Sequence, residues 1–253
     1  MRFINAVRSV VFYLALVLLT CLWFLPSFIL AFILPLRARV HYVQRAYCLC
    51  VIWLLRLICG VRWHVDGVQH IPRDGTACVI VSKHQSTWET FMLPLLLSPQ
   101  VPVLKQELLS IPLFGWLLKR IHPIAIDRNK KTNALKQVIQ QGGERLKLGY
   151  HVLIFPEGTR VAPGQRKAFS KSAAMLARQC AVPILAVAHN SGEYWPNHSW
   201  IKTPGDIRVS ISPAFADLDL STSELNDLVE HWINERVEQL SNTRFTGAYR
   251  NPK

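Results

Sequence analysis

The sequence predicts an α/β fold, a mostly parallel sheet flanked by helices, preceded by an apolar helical segment that associates with a membrane. Three observations carry this prediction. From Val61 onward, short apolar runs of the buried-strand type alternate with stretches of helical periodicity. That alternation is the pattern of parallel strands connected through packed helices. From Val10 to Leu36 there is no Asp, Glu, Lys or Arg. Finally, the 253 residues, half of them hydrophobic, suffice for one medium domain plus an appendage. The expected division is a membrane-associated helical segment over 1–60 and an α/β domain over 61–253.

A continuous helix over the charge-free run would reach about 40 Å, more than a bilayer core. Pro26 interrupts it, and proline costs a helix interior roughly 3 kcal/mol. One kinked span and a hairpin dipping into one leaflet both satisfy this pattern. Arg2 and Arg8 precede the run, and Arg37, Arg39 and Arg45 follow it. Positive charge on both sides favours the hairpin over a span. The run is too long for the apolar region of a signal peptide and lacks a small-residue cleavage site. Tyr42 to Ile58 is aliphatic and aromatic but carries Arg45 and Arg56, which predicts an interfacial helix.

The α/β elements follow in order. Arg62 to Val65 reads as a first strand. Ala77 to Ser82 reads as a buried strand after the turn signal Arg73-Asp74-Gly75. Thr87 to Leu97 reads as a helix, Val101 to Leu104 as a strand, and Thr132 to Lys147 as a helix ending at Gly149. Val152 to Phe155, Ile184 to Ala188 and Ile207 to Ile211 are further strands, with a helix from Ser170 to Cys180. Leu225, Leu228, Val229, Trp232, Ile233, Val237 and Leu240 trace a last, amphipathic helix.

The net charge is +13, from 29 Lys and Arg against 16 Asp and Glu. Such a balance suits nucleic acid, anionic lipid or an anionic substrate. No nucleic-acid motif is present, so the apolar N-terminus favours a membrane surface and no nucleic-acid partner. The six cysteines form no Cys-x-x-Cys pair, and most lie in apolar stretches. They are expected to be reduced, which suits a domain facing the cytosol. No metal cluster is expected, and His122, His151 and His189 are expected to be structural.

Two motifs carry the chemistry, and both fall just past strand C-termini, the edge at which open α/β sheets bind ligands. The first is Lys-His-Gln-Ser-Thr-Trp-Glu at 83–89. An imidazole can take the proton of an attacking hydroxyl, and a carboxylate on its other nitrogen orients it and stabilises the imidazolium. Glu89 can serve His84 in this way only if His84 lies in a loop and Glu89 in the first turn of the next helix. The second is Phe-Pro-Glu-Gly-Thr-Arg at 155–160. Gly158 permits close backbone approach, Glu157 can accept from a hydroxyl, and Arg160 offers a guanidinium fork for phosphate. Ile126-Asp127-Arg128 supplies another such fork, and Lys105 a further phosphate candidate. Ser86 near His84 raises a nucleophile pair, but no Gly-x-Ser-x-Gly elbow exists. Direct attack by a substrate hydroxyl is therefore expected.

Together these strings resemble the glycerolipid acyltransferases. The resemblance covers roughly 80–215, with Val182 to Val187 similar to the family's apolar Val-Pro-Ile strand. The chain departs from the common pattern at Lys83, usually Asn, and at Glu89, usually Asp. The resemblance implies an enzyme that moves a fatty acyl group from acyl-CoA or acyl carrier protein to the hydroxyl of a lysophospholipid, foremost 1-acyl-glycerol-3-phosphate, giving phosphatidic acid. It implies His84 and Glu89 as catalytic residues. It implies Lys105, Arg128, Glu157, Gly158, Thr159 and Arg160 as substrate-binding residues, with no cofactor beyond the acyl donor as co-substrate. The expected location is the inner or cytoplasmic membrane. Another lysolipid acceptor, or hydrolysis by a thioesterase or lipase, is the alternative.

Overall fold

The structure, a computed structural model, describes residues 1–112, 114–127, 131–217, 219–245 and 247–248. Helix α1 (Arg2–Ile33) continues through Pro26 rather than ending at it. Leu34 turns to extended backbone, and Pro35 starts a second helix. This runs as α2 (Leu36–Ala38), a π-helical stretch (Arg39–Gln44) and α3 (Arg45–Cys59). Gly60, at φ 70°, ends it in the left-handed conformation that glycine adopts without steric cost. The N-terminal segment is thus an antiparallel helical hairpin feeding straight into the sheet.

The remaining elements are β1 (Val61–Asp66), β2 (Val79–Ser82), α4 (Trp88–Leu96), β3 (Gln100–Lys105), α5 (Phe114–Arg120), β4 (Ile124–Ile126), α6 (Lys131–Lys147), β5 (His151–Ile154), β6 (Gln165–Arg166), α7 (Ser172–Cys180), β7 (Ile184–His189), β8 (Gly205–Ile211), α8 (Thr222–Leu240) and β9 (Gly247–Ala248). Seven strands form one sheet in the order β1-β8-β7-β2-β5-β3-β4. All pairs are parallel except β7 with β8. Each strand expected from sequence is present. Helix α5 and the short strands β4, β6 and β9 are additional. At two to seven residues each they are too short for periodicity to reveal them.

The sheet alternates its side chains between two cores. Val79 and Val81 of β2 join a cluster with Val138, Leu176, Val229 and Ile233, from helices α6, α7 and α8. Ile80, between them, joins the opposite cluster with Val51, Leu55, Trp88 and Met92. The hairpin and α4 thus cover one face while α6, α7 and α8 cover the other. Because β2, β3, β4, β5 and β7 run the same way, their C-terminal ends share one edge of the sheet.

Both ends of the hairpin are fixed to the α/β body. Near its start, Ser9 Oγ accepts from the Lys202 amide at 2.8 Å, and Phe12 meets Trp195 edge-on at 5.3 Å. Near its turn, Arg39 Nη1 donates to the Arg120 carbonyl at 2.9 Å, and the Arg120 guanidinium lies 4.1 Å from the Phe32 ring centre. Between these anchors Leu14, Leu18, Leu22, Leu25, Ile29 and Ile33 are each at least half exposed. They recur at three- and four-residue steps, so they form one apolar stripe along α1. All six cysteines are free.

Candidate active site

The loop after β2 holds His84, and α4 begins at Trp88, so Glu89 stands in its first turn. This junction brings together two residues that would diverge on a regular helix. His84 Nδ1 lies 2.9 Å from Glu89 Oε1. A carboxylate only accepts, so Nδ1 carries the proton and Nε2 is left with a free lone pair. The backbone amides of Gln85 and Ser86 donate to the same oxygen at 2.9 and 2.8 Å. Burial pushes the Glu89 carboxyl up, but the His84 hydrogen bond, the nearby histidines and the Ser86 amide outweigh it and hold it at about 2. The Glu89 side chain is fully buried, whereas that of His84 keeps 15% exposure. The orienting carboxylate is thereby shielded while the imidazole stays within reach of a ligand.

The second motif closes over the first from the neighbouring strand β5. The Phe155 ring stacks on His84 at 4.1 Å between centres, with 20° between planes. Glu157 Oε2 accepts from the His84 amide at 2.8 Å. Glu157 Oε1 is 2.5 Å from Lys83 Nζ, an ion pair with both side chains fully buried. Burial raises the Glu157 carboxyl above its ordinary range, against the opposing pull of Lys83. Lys83 therefore faces a carboxylate, not solvent, and Glu157 braces the His84 backbone from within the fold. Gly158 turns at φ 68° with open space where a Cβ would stand. The His84 carbonyl accepts from the Val161 amide at 2.7 Å, which ties the end of this motif to the His84 loop. Thr159 and Arg160, just before Val161, are half-buried, and Arg160 Nη1 donates to Asn197 Oδ1 at 2.7 Å.

Lys105 is exposed at the end of β3, beside β5 on the same sheet edge. Arg128 lies outside the described residues; Asp127, just before it, follows β4 at that edge. Ser86 is fully buried, and its Oγ accepts from the Trp88 amide at 2.9 Å, a local turn just before α4. His151 Nδ1 accepts from the Cys78 amide at 3.1 Å, a structural role. Among the described residues no group of three or more His, Cys, Asp or Glu side chains could hold a metal ion.

His189, expected to be structural, lies in the buried network behind Glu89. It ends β7, adjacent to β2, and is completely buried. Its Nδ1 lies 3.0 Å from Ser191 Oγ, which donates to Glu89 Oε2 at 2.9 Å. Its Nε2 lies 2.8 Å from the Lys83 carbonyl. The two residues thus reach the second oxygen of the carboxylate that holds His84. The signal in the sequence was a His-Asn-Ser-Gly string after a buried strand, at the edge that already carried both motifs.

A family model described as Acyltransferase matches residues 62–190. The 1-acyl-sn-glycerol-3-phosphate acyltransferase of Pseudomonas aeruginosa is 46% identical over 95% of this chain and 94% of its own length. The enzyme of the same name from Saccharomyces cerevisiae is 26% identical over 98% of this chain and 81% of its length. In fold, the chain is similar to the crystal structure of the 1-acyl-sn-glycerophosphate acyltransferase of Thermotoga maritima. The TM-score is 0.79 at 23% identity, covering 96% of this chain and 99% of that one.

Proposed function

Because the chain belongs to the acyltransferase family, we propose that it esterifies the free hydroxyl of 1-acyl-glycerol-3-phosphate with an acyl group from acyl-CoA or acyl carrier protein, giving phosphatidic acid. The observation that carries this reading is the 2.9 Å contact between His84 Nδ1 and Glu89 Oε1 at the carboxyl edge of the sheet. Nε2 removes the proton of the acceptor hydroxyl as its oxygen attacks the thioester carbonyl. The ionised Glu89 stabilises the imidazolium that results. Collapse of the tetrahedral intermediate expels the thiolate, which takes the proton from His84, and the base is regenerated. General base catalysis of this kind is worth about 10²–10⁴-fold.

Arg160, Lys105 and Arg128 are the proposed phosphate contacts, with Gly158 and Thr159 lining the approach. Glu157, buried against Lys83 and the His84 amide, is proposed to position the base. Ser86, fully buried with its Oγ accepting from the Trp88 amide, speaks against an acyl-enzyme on that residue. The stripe from Leu14 to Ile33, exposed between two fixed ends, supports 1–60 as a one-leaflet membrane segment and 61–253 as the acyltransferase domain. The proposed location is the cytosolic face of the inner or cytoplasmic membrane.

The test is lipid mass spectrometry of purified protein with a lysolipid panel and each acyl donor. Phosphatidic acid is the expected main product, and His84→Ala should lower its formation by about 10²–10⁴-fold while membrane association persists. Near-normal transfer by that variant would exclude His84 as the base. Rapid thiol release without any acceptor would favour hydrolysis instead.

A further inference from the structure

We infer that Ser191 and His189 are positioning residues that set how firmly Glu89 holds a proton on His84, through a single hydroxyl hydrogen contested by two acceptors. The inference rests on the proposed role of His84 as the base.

A count of protons supports it. Three contacts join the buried network: Lys83 carbonyl to His189 Nε2 at 2.8 Å, His189 Nδ1 to Ser191 Oγ at 3.0 Å, and Ser191 Oγ to Glu89 Oε2 at 2.9 Å. Each needs one hydrogen. A neutral imidazole and a hydroxyl supply two. The Lys83 carbonyl can only accept, so Nε2 carries the imidazole hydrogen and Nδ1 is bare. The Ser191 hydrogen then serves either Glu89 Oε2 or His189 Nδ1, never both. The groups facing His189 are Lys83 and His84 from the loop after β2, Glu89 and the Trp88 ring from α4, and Ser191 itself. Lys83 is already paired with Glu157. Complete burial lowers the affinity of His189 for a second proton, against the pull of Glu89, which keeps the ring neutral.

The consequence reaches the base through one carboxylate. Glu89 Oε1 takes His84 and two backbone amides, and Oε2 takes Ser191. With the hydroxyl turned to Glu89, the carboxylate charge is partly neutralised and its hold on the imidazolium weakens. With the hydroxyl turned to His189, the hold strengthens. No proton enters or leaves this network over a turnover, because the proton taken by His84 departs on the thiol. The Ser191 loop is also fastened to the catalytic loop by the Gly192 amide, which donates to Gln85 Oε1 at 3.3 Å.

The test is the pH dependence of kcat/KM with 1-acyl-glycerol-3-phosphate and acyl-CoA in mixed micelles, because its acid limb reports loss of the free base. Ser191→Ala removes the donor, so Glu89 holds the His84 proton more firmly and the limb should move up by about one pH unit. His189→Leu removes the competing acceptor, so the limb should move down. Ser191→Thr should restore the native limb, with acceptor KM unchanged throughout. Should Ser191→Ala not fold, Ser191→Cys, a weaker donor of similar size, must show the same upward shift. Limbs that stay put, or that move the same way in the Ser191 and His189 variants, would overturn the inference. His84→Ala run alongside separates the two readings. Activity surviving in it defeats the general base itself, whereas its inactivity with unmoved limbs elsewhere defeats only the network.

Discussion

At the scale of single residues, the site turns on two fully buried carboxylates, Glu89 and Glu157. Glu89 is held near 2 in the fold against an ordinary value of 4.5. A depressed carboxyl contributes stability that is complete above the unfolded value and is lost as pH falls from about 4.5 towards about 2. Its largest contribution is about 3 kcal/mol. Glu89→Gln should therefore start less stable at neutral pH and lose less between pH 5 and 3, as read by thermal melts across that interval. Arg160 makes a different prediction, since its proposed work is binding. Arg160→Ala should raise acceptor KM about tenfold or more while kcat falls little; an unchanged KM would remove it from the phosphate site. The pairing of His84 with Glu89 was legible in sequence, because a loop-to-helix junction at that spacing brings the two side chains together. The partner of Lys83 was not legible, because Glu157 is 74 positions away and only the parallel pairing of β2 with β5 brings them together. His189 escaped for the same reason: a lone histidine at the end of an apolar run shows its partners only once the strand order is known.

At the scale of elements, the site is built where loops leave adjacent parallel strands. β7, β2 and β5 deliver Ser191, His84 and Glu157 to one edge. Strand and helix positions followed from apolar runs and periodicity, yet the order β1-β8-β7-β2-β5-β3-β4 did not, since sequence pattern carries no record of which strand lies beside which. The antiparallel β8 is an example: its alternation marked a strand, not its direction. The buried Lys83–Glu157 pair clamps β2's exit to β5's, and its energetics can be measured. Lys83→Met leaves a carboxylate buried without its cation and should cost about 3–5 kcal/mol. Lys83→Met with Glu157→Gln removes the orphaned charge while keeping an acceptor for the His84 amide. The double variant should recover most of that stability in chemical denaturation. A double variant no more stable than Lys83→Met would mean that the pair contributes by packing alone.

At the scale of the whole molecule, the α/β body and the helical hairpin are one object, joined at Ser9 and Lys202 on one side and at Arg39 and Arg120 on the other. Sequence alone left a span and a hairpin both open, because a charge-free run has a length but no direction. With both ends held, the apolar stripe of α1 faces outward along its length, about 29 Å from Leu14 to Ile33. Arg2–Ile33 is long and apolar enough to cross a membrane, but we propose that a helix so held lies along the bilayer. The consequence concerns the two sides of the membrane. An enzyme seated in one monolayer draws acceptor from that monolayer and leaves its product there, so its output is asymmetric at birth. On sealed vesicles carrying acceptor in both monolayers, turnover should stop once the outer supply is spent and resume when a detergent opens the inner one. Uninterrupted consumption of both pools in sealed vesicles would mean that the hairpin releases its anchors and crosses. If the two pools do separate, growth of the opposite monolayer depends on lipid transbilayer movement that this protein does not itself provide.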